Sequence, residues 1–251
     1  MRKRKYAQSL DQPVTSDHIV EIIESYPRTT CFKTSTVPAQ ETAPAPPLPR
    51  LEQDAPAATI HNLVGTARIE LHDAELDLPS ISMHMPNGIF DRQKFAAITV
   101  RLHDPRCTVL LFSSGKMVLT GCKTFLQCLC ASHDIVSIVR QAYPHTHIRL
   151  GGVAIQNIVG NADLHLQDHE FIDLDGIMED YNVYCTYLKH MFPGLIYRPP
   201  NSPVVLLLFL SGKVVITGGK SSHDVSYGWQ TLWPIIRQYI RTKTDAHSAA
   251  K

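Results

Sequence analysis

Long apolar runs are missing from this chain of 251 residues, although 44% of its residues are hydrophobic. No stretch reaches the roughly 18 apolar residues that would predict a membrane-spanning helix. No apolar leader follows the basic N-terminal residues, so a secretory signal is not predicted. The composition instead predicts a soluble protein with enough apolar residues to bury a substantial core.

Cysteine is sparse and is not arranged for metal binding or for a disulfide framework. The six cysteines contain no C-x-x-C pair, which is the spacing typical of zinc sites. Thirteen histidines are present, but pairs such as His145 and His147, or His165 and His169, lack partners at metal-ligand spacing. We therefore expect reduced and mostly buried thiols, scattered surface histidines, no metal site and no cofactor.

Common catalytic motifs are absent as well. The chain has neither G-x-x-x-x-G-K-[ST] nor H-E-x-x-H, the signatures of phosphate-binding loops and of zinc proteases. A cysteine nucleophile at Cys122 or Cys185 would need a histidine base that the sequence does not place. We therefore expect a protein that is not an enzyme.

One stretch occurs twice. Residues 112–123 read FSSGKMVLTGCK and residues 209–220 read FLSGKVVITGGK, with eight of twelve positions identical at an offset of 97. A second phrase, IHNLVG at 60–65, recurs as IQNIVG at 155–160. This spacing is too long for a solenoid repeat, so the pattern predicts two half-domains related by a pseudo-twofold axis.

Each copy of the longer phrase predicts a β-hairpin, because an apolar run, a Ser-Gly turn and a second strand ending in Thr-Gly follow one another. The strands are apolar on both faces, so both faces must be covered. Helical periodicity after each hairpin predicts a long helix over one face, with apolar stripes at Phe125, Leu129, Val136 and Val139 and at Val225, Trp229, Leu232, Ile236 and Tyr239.

The other face would then remain an apolar patch open to solvent, which marks an interaction surface. Its residues would be Val64, Leu110, Phe112, Val118, Val159, Leu207, Phe209 and Val215. A second sheet or a homodimer packed on this face is the alternative interpretation.

The paired N-x-V-G strands, the paired F-x-S-G-K-x-V-x-T-G hairpins and the phenylalanines before them resemble the TATA-box-binding protein family from about residue 59 to residue 240. The resemblance implies an α+β fold. In it a curved antiparallel sheet of about ten strands forms a pseudo-twofold saddle, with two long and two short helices on its convex face. It implies a nuclear transcription initiation factor that binds promoter DNA in the minor groove, kinks it and nucleates the preinitiation complex.

The resemblance also assigns DNA-contacting residues, each by its matching position. Four phenylalanines would wedge between bases: Phe95, Phe112, Phe192 and Phe209. Minor-groove base contacts would come from Asn62, Val64, Leu110, Val118, Thr120, Asn157, Val159, Leu207, Val215 and Thr217. Phosphate contacts would come from Lys94, Arg101, Arg106, Lys116, Arg198 and Lys213.

The two repeats are expected at 58–150 and 151–242, with a flexible tail at 243–251. Residues 1–57 form a proline-rich arm, which we expect to be disordered. Arg2-Lys3-Arg4-Lys5 could be a nuclear import signal or merely solvating charge, and a short helix could begin at Ser16 or Asp17 and stop at Pro27.

Several features depart from the family. Residues 59–240 contain fourteen Lys and Arg against fifteen Asp and Glu, where the family core is basic, so we expect weaker DNA affinity or more reliance on partners. The helix predicted at 124–143 has Arg140 as its only basic residue, where the family helix is basic and contacts factor IIA. Leu188 and His190 replace two glutamates that the family uses for factor IIB. Contacts with factors of the IIA and IIB type would therefore be altered. Seven acids lie between Asp163 and Asp180, and we expect them in a solvated loop, with a partner-docking or DNA-repelling element as the alternative.

These departures leave a second function open. The chain could instead be an assembly subunit of promoter complexes at TATA-less or small-nuclear-RNA-gene promoters, with weak intrinsic TATA affinity. A homodimer that covers the apolar face without DNA is also possible from the sequence.

Overall fold

The computed structural model describes residues 55–71 and 75–242. The basic tetrad, the predicted short helix after Ser16, most of the proline-rich arm and the tail after residue 242 lie outside the described residues. None of the helices in the described part of the chain is long and apolar enough to span a lipid bilayer.

The strands and helices follow one another in two similar series. The strands are β1 (Thr59–Glu70), β2 (Gly88–Ile89), β3 (Ala97–His103), β4 (Arg106–Phe112), β5 (Lys116–Cys122), β6 (Arg149–Leu150), β7 (Ala154–Asp163), β8 (Glu170–Ile172), β9 (Cys185–Thr186), β10 (Leu195–Tyr197), β11 (Val205–Leu208), β12 (Lys213–Gly219) and β13 (Ile240–Thr242). The helices are α1 (Leu78–Ser82), α2 (Phe125–Ala142), α3 (Leu174–Asp180) and α4 (Ser222–Ile236), and α4 runs into a 3-10 turn at Arg237–Tyr239.

One antiparallel sheet of eleven strands organises both series. Its order is β2-β3-β4-β5-β1-β7-β12-β11-β10-β9, and β6 pairs separately with β1. The two halves meet where β1 pairs with β7, with Asn62 opposite Val159 and Val64 opposite Asn157. Because each asparagine faces the other repeat's valine, the pairing has the twofold relation that the duplicated sequence predicts. The predicted curved sheet with two long and two short helices is confirmed.

The two long helices cover one face of the sheet and form the core with it. Helix α2 is capped by Thr124, whose side chain accepts a hydrogen bond from the Gln127 N–H at 3.2 Å. Helix α4 begins with a capping box in which Ser221 and Asp224 each accept a backbone hydrogen bond, an arrangement that stabilises a helix start. The predicted stripe on α2 is correct for Val136 and Val139 but wrong for Phe125, which lies in the first helical turn and is 49% exposed.

The contact between α4 and Val204, the residue before β11, leaves no room for a side chain at Gly228. A Cβ there would lie 2.2 Å from a methyl carbon of the buried Val204. We expect Gly228→Ala to lower the free energy of unfolding by about 1–3 kcal/mol because of overpacking, which outweighs a gain in helix propensity of up to about 1 kcal/mol. Denaturant unfolding measures this change. Gly152→Ala is the matched control, since a Cβ added there would have no atom within 4 Å, and an equal effect of both changes would contradict the prediction.

The acidic segment after β7 is folded, so the predicted solvated loop is wrong. Strand β8 pairs with β13, with Ile172 opposite Ile240. Helix α3 follows, with Leu174 and Ile177 buried and with Asp173 accepting a hydrogen bond from the Gly176 N–H at 3.0 Å. The apolar residues interleaved with the acids provide the burial that orders this segment.

Candidate nucleic-acid interface

The face of the sheet opposite α2 and α4 carries most of the residues that were predicted to contact DNA. In β1 the side chains of Leu63, Ala67 and Ile69 belong to the core beneath the helices, so Asn62 and Val64 point the other way. The strand registers extend this alternation across the sheet. The concave face defined in this way contains Asn62, Val64, Arg101, Arg106, Leu110, Phe112, Lys116, Val118 and Thr120, and from the second repeat Asn157, Val159, Arg198, Leu207, Phe209, Lys213, Val215 and Thr217.

The four predicted wedge residues form two aromatic pairs, one in each repeat. The rings of Phe95 and Phe112 lie edge to face with centroids 6.0 Å apart, and those of Phe192 and Phe209 lie edge to face at 5.8 Å. Phe112 ends β4, and Phe209 directly follows β11, so one member of each pair sits at the tip of a hairpin. Phe95 and Phe192 precede β3 and β10 and reach the pair from the neighbouring strand.

The two pairs differ in exposure. Phe95 is 46% exposed, whereas its counterpart Phe192 is 7% exposed. The reason is local: the ring of Phe192 rests on Gly194, where an added Cβ would lie 2.6 Å from a ring carbon. The corresponding residue in the first repeat is Ala97, whose Cβ occupies that space. Phe95 therefore stands further out from the sheet than Phe192.

The rest of the concave face shows the same difference between the repeats. The prediction that its apolar residues are open to solvent agrees with the half-buried Val64, Leu110 and Val118. It is wrong for Val159 and Leu207, which are buried, and Thr217 is buried beside them. Across the strands Leu207 faces Ile196, whereas its counterpart Leu110 faces the smaller Thr99, so the larger neighbour covers more of the leucine.

The polar groups at the centre of the concave face are held in a fixed orientation. The Oδ1 of Asn62 accepts a hydrogen bond from the Gly121 N–H at 2.7 Å, and the Nδ2 donates to the Thr120 Oγ1 at 3.4 Å. In the second repeat, Asn157 accepts from the Gly218 N–H at 2.8 Å and donates to the Thr217 Oγ1 at 3.2 Å. Because each oxygen is bound by a backbone donor, each amide must present its NH₂ group on the opposite side.

Two glycines make this orientation possible, and the sequence patterns alone assign them no role. Gly121 and Gly218 have φ angles of +94° and +93°, a region that side-chain-bearing residues rarely occupy. The signal for them is the Thr-Gly dipeptide that ends both hairpins. Asn62 and Asn157 lie within the strands β1 and β7.

Five of the six predicted phosphate-contacting residues lie on this face. Arg101, Arg106, Lys116, Arg198 and Lys213 are all exposed. Lys94 lies in the loop before Phe95 and forms an exposed ion pair with Asp91 at 3.0 Å. Their contacts with DNA remain predictions.

The buried thiols lie on the helix side of the sheet or near its edge. Burial raises the pKa of the Cys185 thiol to about 12. A hydrogen bond with Cys122, together with burial, raises the pKa of Cys107 and of Cys128. The same hydrogen bonds, with Cys107 and with Cys128, lower the pKa of Cys122. The protonated thiols of Cys107, Cys128 and Cys185 are poor nucleophiles. Within residues 55–71 and 75–242, no group of three or more His, Cys, Asp or Glu residues is placed to hold a metal ion.

The duplicated sequence and fold of this chain are similar to those of known proteins. The family model described as "Transcription factor TFIID (or TATA-binding protein, TBP)" matches residues 57–142 and 152–239. The TATA-box-binding protein of Acanthamoeba castellanii is 35% identical over 190 residues, covering 73% of this chain and 68% of that protein. The TATA-box-binding protein 2 of Arabidopsis thaliana is 34% identical over 186 residues, covering 74% and 88%.

A solved structure, that of Methanococcus jannaschii TBP, is 31% identical and superposes with a TM-score of 0.61, covering 73% of this chain and 99% of that one. One matched segment contains β1 and the other contains β7, the two strands at which the halves of the sheet meet. The chain therefore belongs to the TATA-binding protein family, a family of DNA-binding factors of transcription initiation.

Proposed function

We propose that this protein binds A·T-rich promoter DNA in the minor groove through its concave face, kinks the duplex at two places and so nucleates a preinitiation complex in the nucleus. The proposal rests on two symmetry-related aromatic contacts, Phe95 with Phe112 and Phe192 with Phe209, which lie on either side of the central asparagines. Wedging of this kind is known for this family, and the four phenylalanines occupy the matching positions of this sequence.

The central amides and hydroxyls support a preference for A·T pairs. Asn62 and Asn157 are each fixed with the NH₂ group away from a backbone N–H, beside Thr120 and Thr217. Adenine N3 and thymine O2 accept hydrogen bonds in the minor groove, whereas guanine adds an amino group that would collide with an amide or hydroxyl donor. The arrangement would distinguish A·T from G·C pairs but not A·T from T·A.

The apolar residues around these amides would exclude water from the groove floor. Val64, Leu110 and Val118 are half-buried in the free protein, so they retain surface that a duplex could cover. Covering it contributes about 25 cal/mol per Å² of apolar area, which helps to offset the cost of unstacking the kinked steps, on the order of a few kcal/mol each.

Partner factors of the IIA and IIB type would contact this protein differently from its relatives. Leu188 and Met191 near the second aromatic pair are exposed, and so are Phe125 and Leu126 at the start of α2. By the family resemblance, Leu188 stands where the family has a glutamate, and α2 has Arg140 as its one basic residue where the family helix is basic. We propose that the partner contacts are correspondingly less electrostatic.

Energy transfer between dyes at the two ends of a short duplex tests the proposal. We expect the full chain to shorten the end-to-end distance of a TATA duplex, and to bind a duplex with G·C substitutions at the centre roughly 10-fold or more weakly, since each lost discriminating contact costs about 1–3 kcal/mol. Equal binding to both duplexes would contradict base selection, and binding without a distance change would contradict kinking. Binding only when partner proteins are added would favour the assembly-subunit alternative.

A further inference from the structure

Two like charges face each other across the central strands of the first repeat. Arg68 in β1 lies directly opposite Lys116 in β5, and both side chains are exposed. Like charges opposite each other across an antiparallel pair destabilise a sheet. Neither cation forms an ion pair with a carboxylate in the described parts of the chain, and the neighbouring Glu70 pairs with Arg149 at 3.8 Å instead.

Both cations belong to the concave face. Arg68 is separated by even steps from Asn62 and Val64 in β1, and Lys116 is similarly related to Val118 and Thr120 in β5, so the alternation of side chains places all of them on one side. With Thr66, Ala67, Ser114 and Gly152, the two cations line a shallow concavity of about 310 Å³. Such a concavity next to the base-contacting residues is accessible to a DNA backbone.

The second repeat lacks this arrangement. At the position that corresponds to Arg68 it has Asp163, which lies opposite Lys213, so the cation there has an acid as its cross-strand neighbour. The difference in charge between the two repeats extends beyond these positions. Residues 59–150 contain nine Lys and Arg against seven Asp and Glu, whereas residues 151–240 contain five against eight.

We propose that Arg68 and Lys116 form a two-cation clamp for a DNA phosphate, and that the first repeat therefore supplies most of the attraction for the DNA backbone. This inference rests on the proposed function and adds Arg68 to the interface. The phosphate offsets the repulsion between the two cations, and Asp163 weakens the equivalent contact of Lys213. The two nearly symmetric halves thus hold the duplex unequally.

The salt dependence of binding tests the clamp. The full chain is titrated with a fluorescent TATA duplex at several KCl concentrations, and the slope of log K against log [salt] is compared between variants. We expect Arg68→Ala to make the slope shallower by about 0.9, the value for one lost phosphate contact. Lys123→Ala is the matched control: it removes the same charge from the same repeat at the junction with α2, and its slope should equal that of the wild type.

Two further measurements separate a DNA contact from a structural role. Asp163→Asn should strengthen binding and steepen the slope, because Lys213 then keeps its full charge for a phosphate. The unfolding midpoint of Arg68→Ala should be unchanged or raised, since the repulsion is relieved. The clamp is overturned if Arg68→Ala retains the wild-type slope, if Lys123→Ala makes the slope as shallow as Arg68→Ala does, or if Arg68→Ala lowers the unfolding midpoint. Failure of the wild type to bind would instead overturn the proposed function.

Discussion

Phe112→Ala is expected to remove the kink that the first repeat makes in a bound duplex and to weaken binding by roughly 5- to 150-fold. The reason is that an aromatic ring stacked on a base contributes about 1–3 kcal/mol. Phe209→Ala should remove the kink at the second repeat, and the double variant should leave the duplex nearly straight. Energy transfer across an end-labelled TATA duplex measures the bend, and anisotropy measures the affinity.

The fold should survive Phe112→Ala. The ring is only half-buried, and its main described aromatic contact is the edge-to-face pair with Phe95 at 6.0 Å. Such a pair contributes about 0.5–1.5 kcal/mol beyond its buried area, which is small against a typical total of about 5–15 kcal/mol. Phe125→Ala is the matched control, because it removes an exposed phenylalanine ring that lies on the helix side of the sheet. A duplex bent as strongly by Phe112→Ala as by the wild type would refute wedging.

The two repeats differ in the free-energy cost of inserting their phenylalanines between bases. Phe95 already stands out from the sheet, whereas Phe192 rests on Gly194 and is buried against Phe209. Insertion at the second repeat therefore requires the Phe192 ring to leave the sheet, and binding energy must offset the loss of that packing. The first repeat needs no comparable rearrangement, so its kink should form at lower cost. Together with the charge bias between the halves, this asymmetry favours initial engagement of DNA by the first repeat.

The fold could be predicted from the sequence because the duplicated hairpin sequence and the helical periodicity indicated the same arrangement. The duplicated FxSGKxVxTG stretch fixed both hairpins through turn chemistry, and the two helical stripes fixed which face they cover. Strand alternation then placed Asn62, Val64, Leu110 and Val118 together, as the register confirms. The family resemblance supplied the saddle, which periodicity alone could not distinguish from two separate α+β domains.

What the sequence could not show depends on packing between neighbouring strands. The burial of Leu207 and Phe192 follows from Ile196 and Gly194, and neither effect is visible until the strands are in register. The sequence of the acidic segment predicted a loop because its charged residues outnumber Ile172, Leu174 and Ile177. These three residues of the segment are buried and anchor it to the core. The significance of Arg68 lies in its facing Lys116 across the sheet, a relation between residues 48 positions apart that no local pattern reveals.

Asn157→Asp is expected to abolish the preference for A·T pairs at the centre of the site. The substitution keeps the shape of the side chain and its oxygen, so the Gly218 N–H at 2.8 Å can still donate to it, and the fold should be retained. It removes the NH₂ donors and puts a negative charge where adenine N3 and thymine O2 present acceptors. Loss of the contact alone costs about 1–3 kcal/mol, and repulsion between the carboxylate and these acceptors adds to it.

Affinity for a TATA duplex should therefore fall by at least roughly 10-fold, while affinity for a G·C-substituted duplex should change less, since guanine offers an amino donor to the new carboxylate. Competition between the two duplexes measures the ratio. Asn182→Asp is the matched control, because it introduces the same charge in the second repeat at an exposed site between α3 and β9. If both variants lose affinity equally for both duplexes, the effect is one of net charge. If only Asn157→Asp lowers the ratio of TATA affinity to G·C affinity, the fixed amide is the group that selects A·T.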